Sequence, residues 1–172
     1  MAQYAFSKGG AVIGLGLAVL RLALATVFIA HGAHILFGLW PGPGIGTGGL
    51  DLTAQSFAAL GLTPAFPLAV AVGVIEFAGG ILLAIGWFTR VAAPLLVIVL
   101  CVAIWKTQWA YGFFLNWVGA GDRGQGYEYS VLLLGALICL SLTGAGEWSI
   151  DGQREATRAS RQAGRARLRG KL

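Results

Sequence analysis

Four long apolar runs, at residues 12–36, 65–88, 91–114 and 127–144, leave this chain little else to build with. A hydrocarbon layer about 30 Å thick takes about 20 consecutive apolar residues in a helix rising about 1.5 Å per residue. Lipid offers the backbone no outside partner, so only helices or a closed barrel can cross it. No convincing strand is present, and the expected fold is an all-α membrane protein, a four-helix transmembrane bundle. Charge agrees: 11% of the 172 residues are charged, where soluble domains carry about 25%. One domain is expected over 12–146, with an N-terminal segment at 1–11, an outer loop at 39–63 and a basic tail at 147–172. No internal repeat stands out. The first run is too long for a signal peptide, contains Arg21 and lacks a clean cleavage site, so it is expected to remain as the first span.

Lys and Arg beside the spans set orientation. Lys8, Arg90 and the tail arginines (154, 158, 161, 165, 167 and 169) fall on one side, and Arg123 on the other. Both termini are therefore expected in the cytoplasm, with the chain in a bacterial inner membrane. The loop at 39–63 then lies outside, opening on the cluster Trp40-Pro41-Gly42-Pro43-Gly44-Ile45-Gly46, which ends the first span, and holding a short amphipathic stretch at 51–60. Trp40, Trp109, Trp117, Tyr127 and Tyr129 are expected at the outer interface, and Trp87 at the inner one. A basic segment just inside a last span meets anionic lipid headgroups, so the tail reads as membrane-facing rather than as a nucleic-acid binder.

Charges inside spans are costly and mark paired or functional positions. Arg21, Glu76, Lys106 and Glu128 qualify, and their charges sum to zero. Counting rise from the span ends puts Arg21 and Glu76 near the midplane, where an Arg21–Glu76 contact is expected. Lys106 and Glu128 belong to an outer layer. Gly14, Ala18, Arg21, Ala25 and Gly32 share one face of the first span, and Ala69, Gly73, Glu76 and Gly80 one face of the second. Small residues let helices approach closely in lipid. His31 lies nearer the Arg21 face than His34, and a histidine beside a carboxylate exchanges protons near neutral pH. Such a group suits a quinone headgroup, with His31, Glu128, Arg21 and Glu76 as catalytic candidates and His31, Lys106, Tyr127 and Trp109 as its lining. Structural readings stand beside these: an ion pair for Arg21 and Glu76, snorkelling for Lys106, interfacial hydrogen bonding for the histidines.

Cys101 and Cys139 both lie in apolar runs, where packing is the plainer reading than a redox pair. No metal-ligand spacing and no dinucleotide fingerprint is present. Two histidines three apart on one helix cannot ligate opposite faces of a haem. A redox cofactor is therefore expected to come from a partner or from the quinone pool.

Several stretches together resemble the DoxX/DoxD family of small bacterial membrane proteins. They are Arg21 with His31-Gly32-Ala33-His34-Ile35-Leu36-Phe37-Gly38, Phe57-Ala58-Ala59-Leu60-Gly61-Leu62, Glu76-Phe77-Ala78-Gly79-Gly80-Ile81-Leu82-Leu83 with Gly86-Trp87-Phe88-Thr89-Arg90, Gly112-Phe113-Phe114, and Gly126-Tyr127-Glu128-Tyr129. The resemblance implies four transmembrane helices and a link to sulfur or thiol redox chemistry, since DoxD-type members are the membrane subunit of a thiosulfate:quinone oxidoreductase. Many members carry a histidine shortly before Gly-Phe-Phe, where this chain has Gln108, and the arginine-rich end is longer than usual. Three functions stay open: a membrane subunit of an oxidoreductase complex passing electrons to quinone, a non-catalytic anchor for other subunits, and a pathway for protons or a small solute.

Overall fold

The computed structural model describes residues 2–40, 48–121 and 124–169, with side chains over 10–40, 48–121 and 124–164. The Pro41 to Gly46 cluster, Arg123 and the Lys8 side chain lie outside the described residues. The described chain forms α1 (Ala2–Phe37), α2 (Leu50–Ala59), α3 (Ala65–Ile85), α4 (Thr89–Ala103), α5 (Glu128–Thr143) and α6 (Ile150–Arg169), with no strand among the described residues. A π-helical turn at Ile104–Gln108 and a 3-10 turn at Trp109–Tyr111 prolong α4. Three segments are long and apolar enough to cross a membrane: Gly10–Phe37, Ala65–Ile85 and Thr89–Tyr111. The apolar α5 is shorter, at 16 residues.

Two boundaries differ from expectation. α1 runs unbroken from Ala2, ten residues before the apolar run, because nothing between Ala2 and Ala11 opposes a helix except paired glycines already inside it. The third span stops at Tyr111, since Gly112 adopts φ 77°, and Phe113 and Phe114 fall into the following loop.

α1 and α3 pack antiparallel along the small-residue stripes, each helix supplying glycines where the other brings bulk. A Cβ on Gly32 would sit within 2.7 Å of Phe77 Cα, and one on Gly80 within 2.9 Å of the Ile29 backbone nitrogen. α3 ends at Gly86, whose φ of 65° lets the chain reverse into α4 within three residues. The core comprises Leu24 and Phe28 from α1, Leu83 from α3, Ala93 and Leu96 from α4, and Leu137 and Leu140 from α5. Large apolar side chains such as Val12, Leu132 and Leu142 point outward, each at least 70% exposed. Water penalises such a surface, and acyl chains accept it.

Candidate functional site

The polar residues singled out in the sequence do not converge; the structure distributes them over four places.

Arg21 is 2% exposed, yet Glu76 is not its partner. Its Nη1 donates to the carbonyl oxygens of Leu83 (2.9 Å) and Ala84 (3.2 Å), and its Nη2 to that of Trp148 (2.6 Å). The Leu83 and Ala84 oxygens belong to the last turn of α3, which carries the negative end of the helix dipole. Leu83 lies seven residues beyond Glu76, about 10 Å along the helix, and Glu76 Oε2 has no hydrogen-bond partner. The expected Arg21–Glu76 contact is therefore absent: Arg21 joins the end of α3 to the lead-in of α6.

His31 is exposed on the outer side of α1, its Nδ1 within 2.9 Å of its own helix's Val27 oxygen. His34 is the more enclosed of the two, reversing the expected order, with Nδ1 on Leu39 O at 2.8 Å. The Glu128 carboxylate accepts the Leu115 N–H (3.1 Å) while its own N–H donates to Phe113 O (2.9 Å). It thus stitches the loop before α5 to the first turn of that helix. Trp109 and Tyr127 stack on one another at 5.4 Å between centroids, and Phe113 meets Tyr127 edge-on at 5.6 Å. Both rings lie apart from the cavity described next. Cys101 and Cys139 are free and exposed on their helices.

Glu76 and Lys106, expected at different depths, line one cavity. This partly open cavity of about 370 Å³ lies between α2, α3, α4 and the π-turn that prolongs it, with Ile35 of α1 at its edge and walls that include Phe57, Leu60, Leu68, Val72, Ile75, Ile98 and Val102. Its polar groups are Glu76, Lys106 and Thr107. Lys106 Nζ donates to Leu60 O (3.2 Å) at the end of α2 and stands 4.6 Å over the Trp105 ring. Ile98, Val99, Val102, Ala103, Lys106 and Thr107 line the cavity as one stripe along α4 and the π-turn that follows. Thr107 bonds its own helix at Ala103 O (2.7 Å). Glu76 is half-buried and borders this cavity, and its Oε2 is buried without a hydrogen-bond partner. An unmet buried oxygen costs about 1–3 kcal/mol. The volume falls within the range of small-molecule sites, apolar with a few polar groups. α2, read in the sequence only as a surface stretch, supplies the lid of this cavity; nothing in its own pattern distinguished those roles.

The DoxX family model matches residues 16–109, more than half of the chain and the stretch that holds both Arg21 and the cavity. A Haemophilus influenzae protein described as an uncharacterized protein is 30% identical over 141 residues, covering 80% of this chain and 89% of that protein. No solved structure matches. With its apolar helices, this chain is a multi-pass membrane protein, and it belongs to the DoxX family.

Proposed function

We propose that this chain is the membrane subunit of an oxidoreductase complex that links sulfur or thiol chemistry to the quinone pool, with the Glu76–Lys106 cavity receiving the quinone headgroup. The carrying observation is that Glu76, whose Oε2 is buried without a hydrogen-bond partner, and Lys106 border one apolar cavity. A quinone carbonyl needs a donor, which Lys106 is, and a quinol hydroxyl needs an acceptor, which Glu76 is. A bound quinone would supply two-electron, two-proton redox chemistry, its electrons coming from a thiosulfate- or thiol-oxidising partner subunit. Lys106 orients the headgroup, Glu76 holds a proton position beside it, and the apolar walls exclude water.

In this reading α5 is a fourth span and both termini lie in the cytoplasm of an inner-membrane protein. Two contacts support it. Gly10 of α1 lies against Glu147, and Gly144 at the end of α5 against Arg90 at the start of α4, so the two ends of the chain gather at the arginine-rich end of the bundle.

The test is binding of a short-tailed quinone to the purified chain, together with thiosulfate-dependent quinone reduction in native membranes. Glu76→Leu and Lys106→Met each remove one polar contact worth about 1.4 kcal/mol, so each is expected to weaken binding and slow reduction about tenfold. Wild-type affinity and rate in both variants would reject the assignment.

A further inference from the structure

We propose that the arginine face at the start of α6 binds the phosphate groups of anionic phospholipids. The first turn of α6 is fixed to the bundle end. Asp151 N donates to Gly86 O (3.0 Å), and its carboxylate accepts the N–H groups of Phe88 (3.1 Å) and Thr89 (2.9 Å). Ser149 Oγ accepts the Gly152 N–H at 2.9 Å. Trp87, Phe88 and Trp148 surround this point, the last two more than half exposed. Aromatic side chains of that kind occupy the membrane–water boundary.

Arg154, Arg158 and Arg161 follow at i, i+4 and i+7, so they share one side of the helix. With Ile150, Gln153 and Thr157 they line a shallow exposed hollow of about 430 Å³ with no carboxylate among its described lining, while Glu147, Asp151 and Glu155 border the neighbouring hollow on the other side of Arg154 and Arg158. The Arg154 guanidinium stands 5.5 Å from the Trp87 ring centroid. It is three residues past Asp151, about 4.5 Å of helix rise, while a headgroup layer is roughly 5–7 Å deep. Arg154 therefore lies at headgroup depth whatever the tilt of α6, and its neighbours stay within reach of the surface potential. A soluble polyanion would have to enter the headgroup layer to reach it, and an anionic lipid is already there. Guanidinium forks match phosphate oxygens in pairs, and the same spacing continues in the sequence to Arg165.

The experiment is native mass spectrometry of the full chain released from mixed phosphatidylglycerol and phosphatidylcholine. Wild type is expected to retain phosphatidylglycerol preferentially, the preference falling with added salt. At about 1 kcal/mol per basic residue, each arginine contributes roughly fivefold. The Arg154→Gln/Arg158→Gln/Arg161→Gln variant should therefore lose on the order of 100-fold of the preference, and the corresponding triple lysine variant should keep most of it. An unchanged preference in the glutamine variant overturns the proposal. So does displacement of the lipid by millimolar inorganic phosphate, which would assign the face to a free anion, or by an acidic peptide or oligonucleotide, which would assign it to a macromolecular partner.

Discussion

Arg21→Met is the substitution that discriminates most sharply between a charge held by backbone carbonyls and a charge held by Glu76. It deletes three hydrogen bonds from a guanidinium that is 2% exposed. Bonds from charged donors are worth about 1.5–3 kcal/mol each, roughly 4–9 kcal/mol in all. Against this, methionine removes a buried cation whose Nε has no partner, a relief of several kcal/mol. A net loss of about 2–4 kcal/mol remains, a roughly 30- to 700-fold shift in the unfolding equilibrium. Reversible unfolding in mixed micelles of rising dodecyl sulfate content, followed by circular dichroism, measures it. Because Arg21 also holds the Trp148 carbonyl, limited proteolysis should cut ahead of α6 sooner in the variant. The double-mutant cycle with Glu76→Gln supplies the decisive number. The two side chains have no shared partner and their anchor points lie about 10 Å apart along α3, so their effects should add to within about 0.5 kcal/mol. A coupling above about 1 kcal/mol, or an Arg21→Met cost below about 0.5 kcal/mol, would refute the carbonyl-anchored arrangement.

Two further substitutions test the packing around this anchor. Gly32→Ala forces a methyl into the Phe77 backbone and is expected to cost about 1–3 kcal/mol in the same unfolding assay. Gly16→Ala, where nothing lies within 4 Å of the new methyl, should be neutral or slightly stabilising through helix propensity; equal effects at both sites would contradict the α1–α3 contact. Asp151→Ala removes the side chain that accepts the first two N–H groups of the α4 turn. The expected cost is about 1–2 kcal/mol, read as at least fivefold faster hydrogen exchange at Phe88 and Thr89, and unchanged exchange there would exclude the cap.

What was legible in the sequence followed from periodicity. The stripes through Gly14, Ala25 and Gly32 and through Ala69, Gly73 and Gly80 needed only 3.6 residues per turn, and Gly14, Ala25, Gly32, Ala69, Gly73 and Gly80 are all buried. Depth was not legible, because it was counted from an apparent span start near residue 12, whereas the interlock of Gly32 with Phe77 and of Gly80 with Ile29 sets the register. That interlock brings Arg21 opposite the end of α3 and leaves Glu76 about two turns away. Helix-end carbonyls were overlooked as acceptors, since a sequence displays charges and not unused backbone oxygens. His31 was misplaced for a simpler reason: ten residues carry it about 80° round the helix from Arg21, enough to leave the buried face. His34 is enclosed because Gly48 folds back on it, a contact that depends on the loop path. The cavity is bordered by α2, α3, α4 and the π-turn together, and no single run of residues encodes that combination.

Both ends of the bundle bury polar side-chain atoms, and they differ in what surrounds them. At the arginine-rich end the Arg21 Nη groups bond the protein's own backbone and Asp151 accepts the first amides of α4, while Arg21 Nε, Trp87 Nε1 and Thr89 Oγ1 are buried without partners. Toward the other end, Glu76 Oε2 and Gln108 Oε1 are buried without partners, and between them the third span abandons α-helical bonding for a π-turn. Single π-turns are rare, cost regular hydrogen bonding and gather at functional sites. The irregular backbone and the buried unpartnered oxygen of Glu76 thus lie beside the same cavity of about 370 Å³, and no such pairing is found at the arginine-rich end among the described residues.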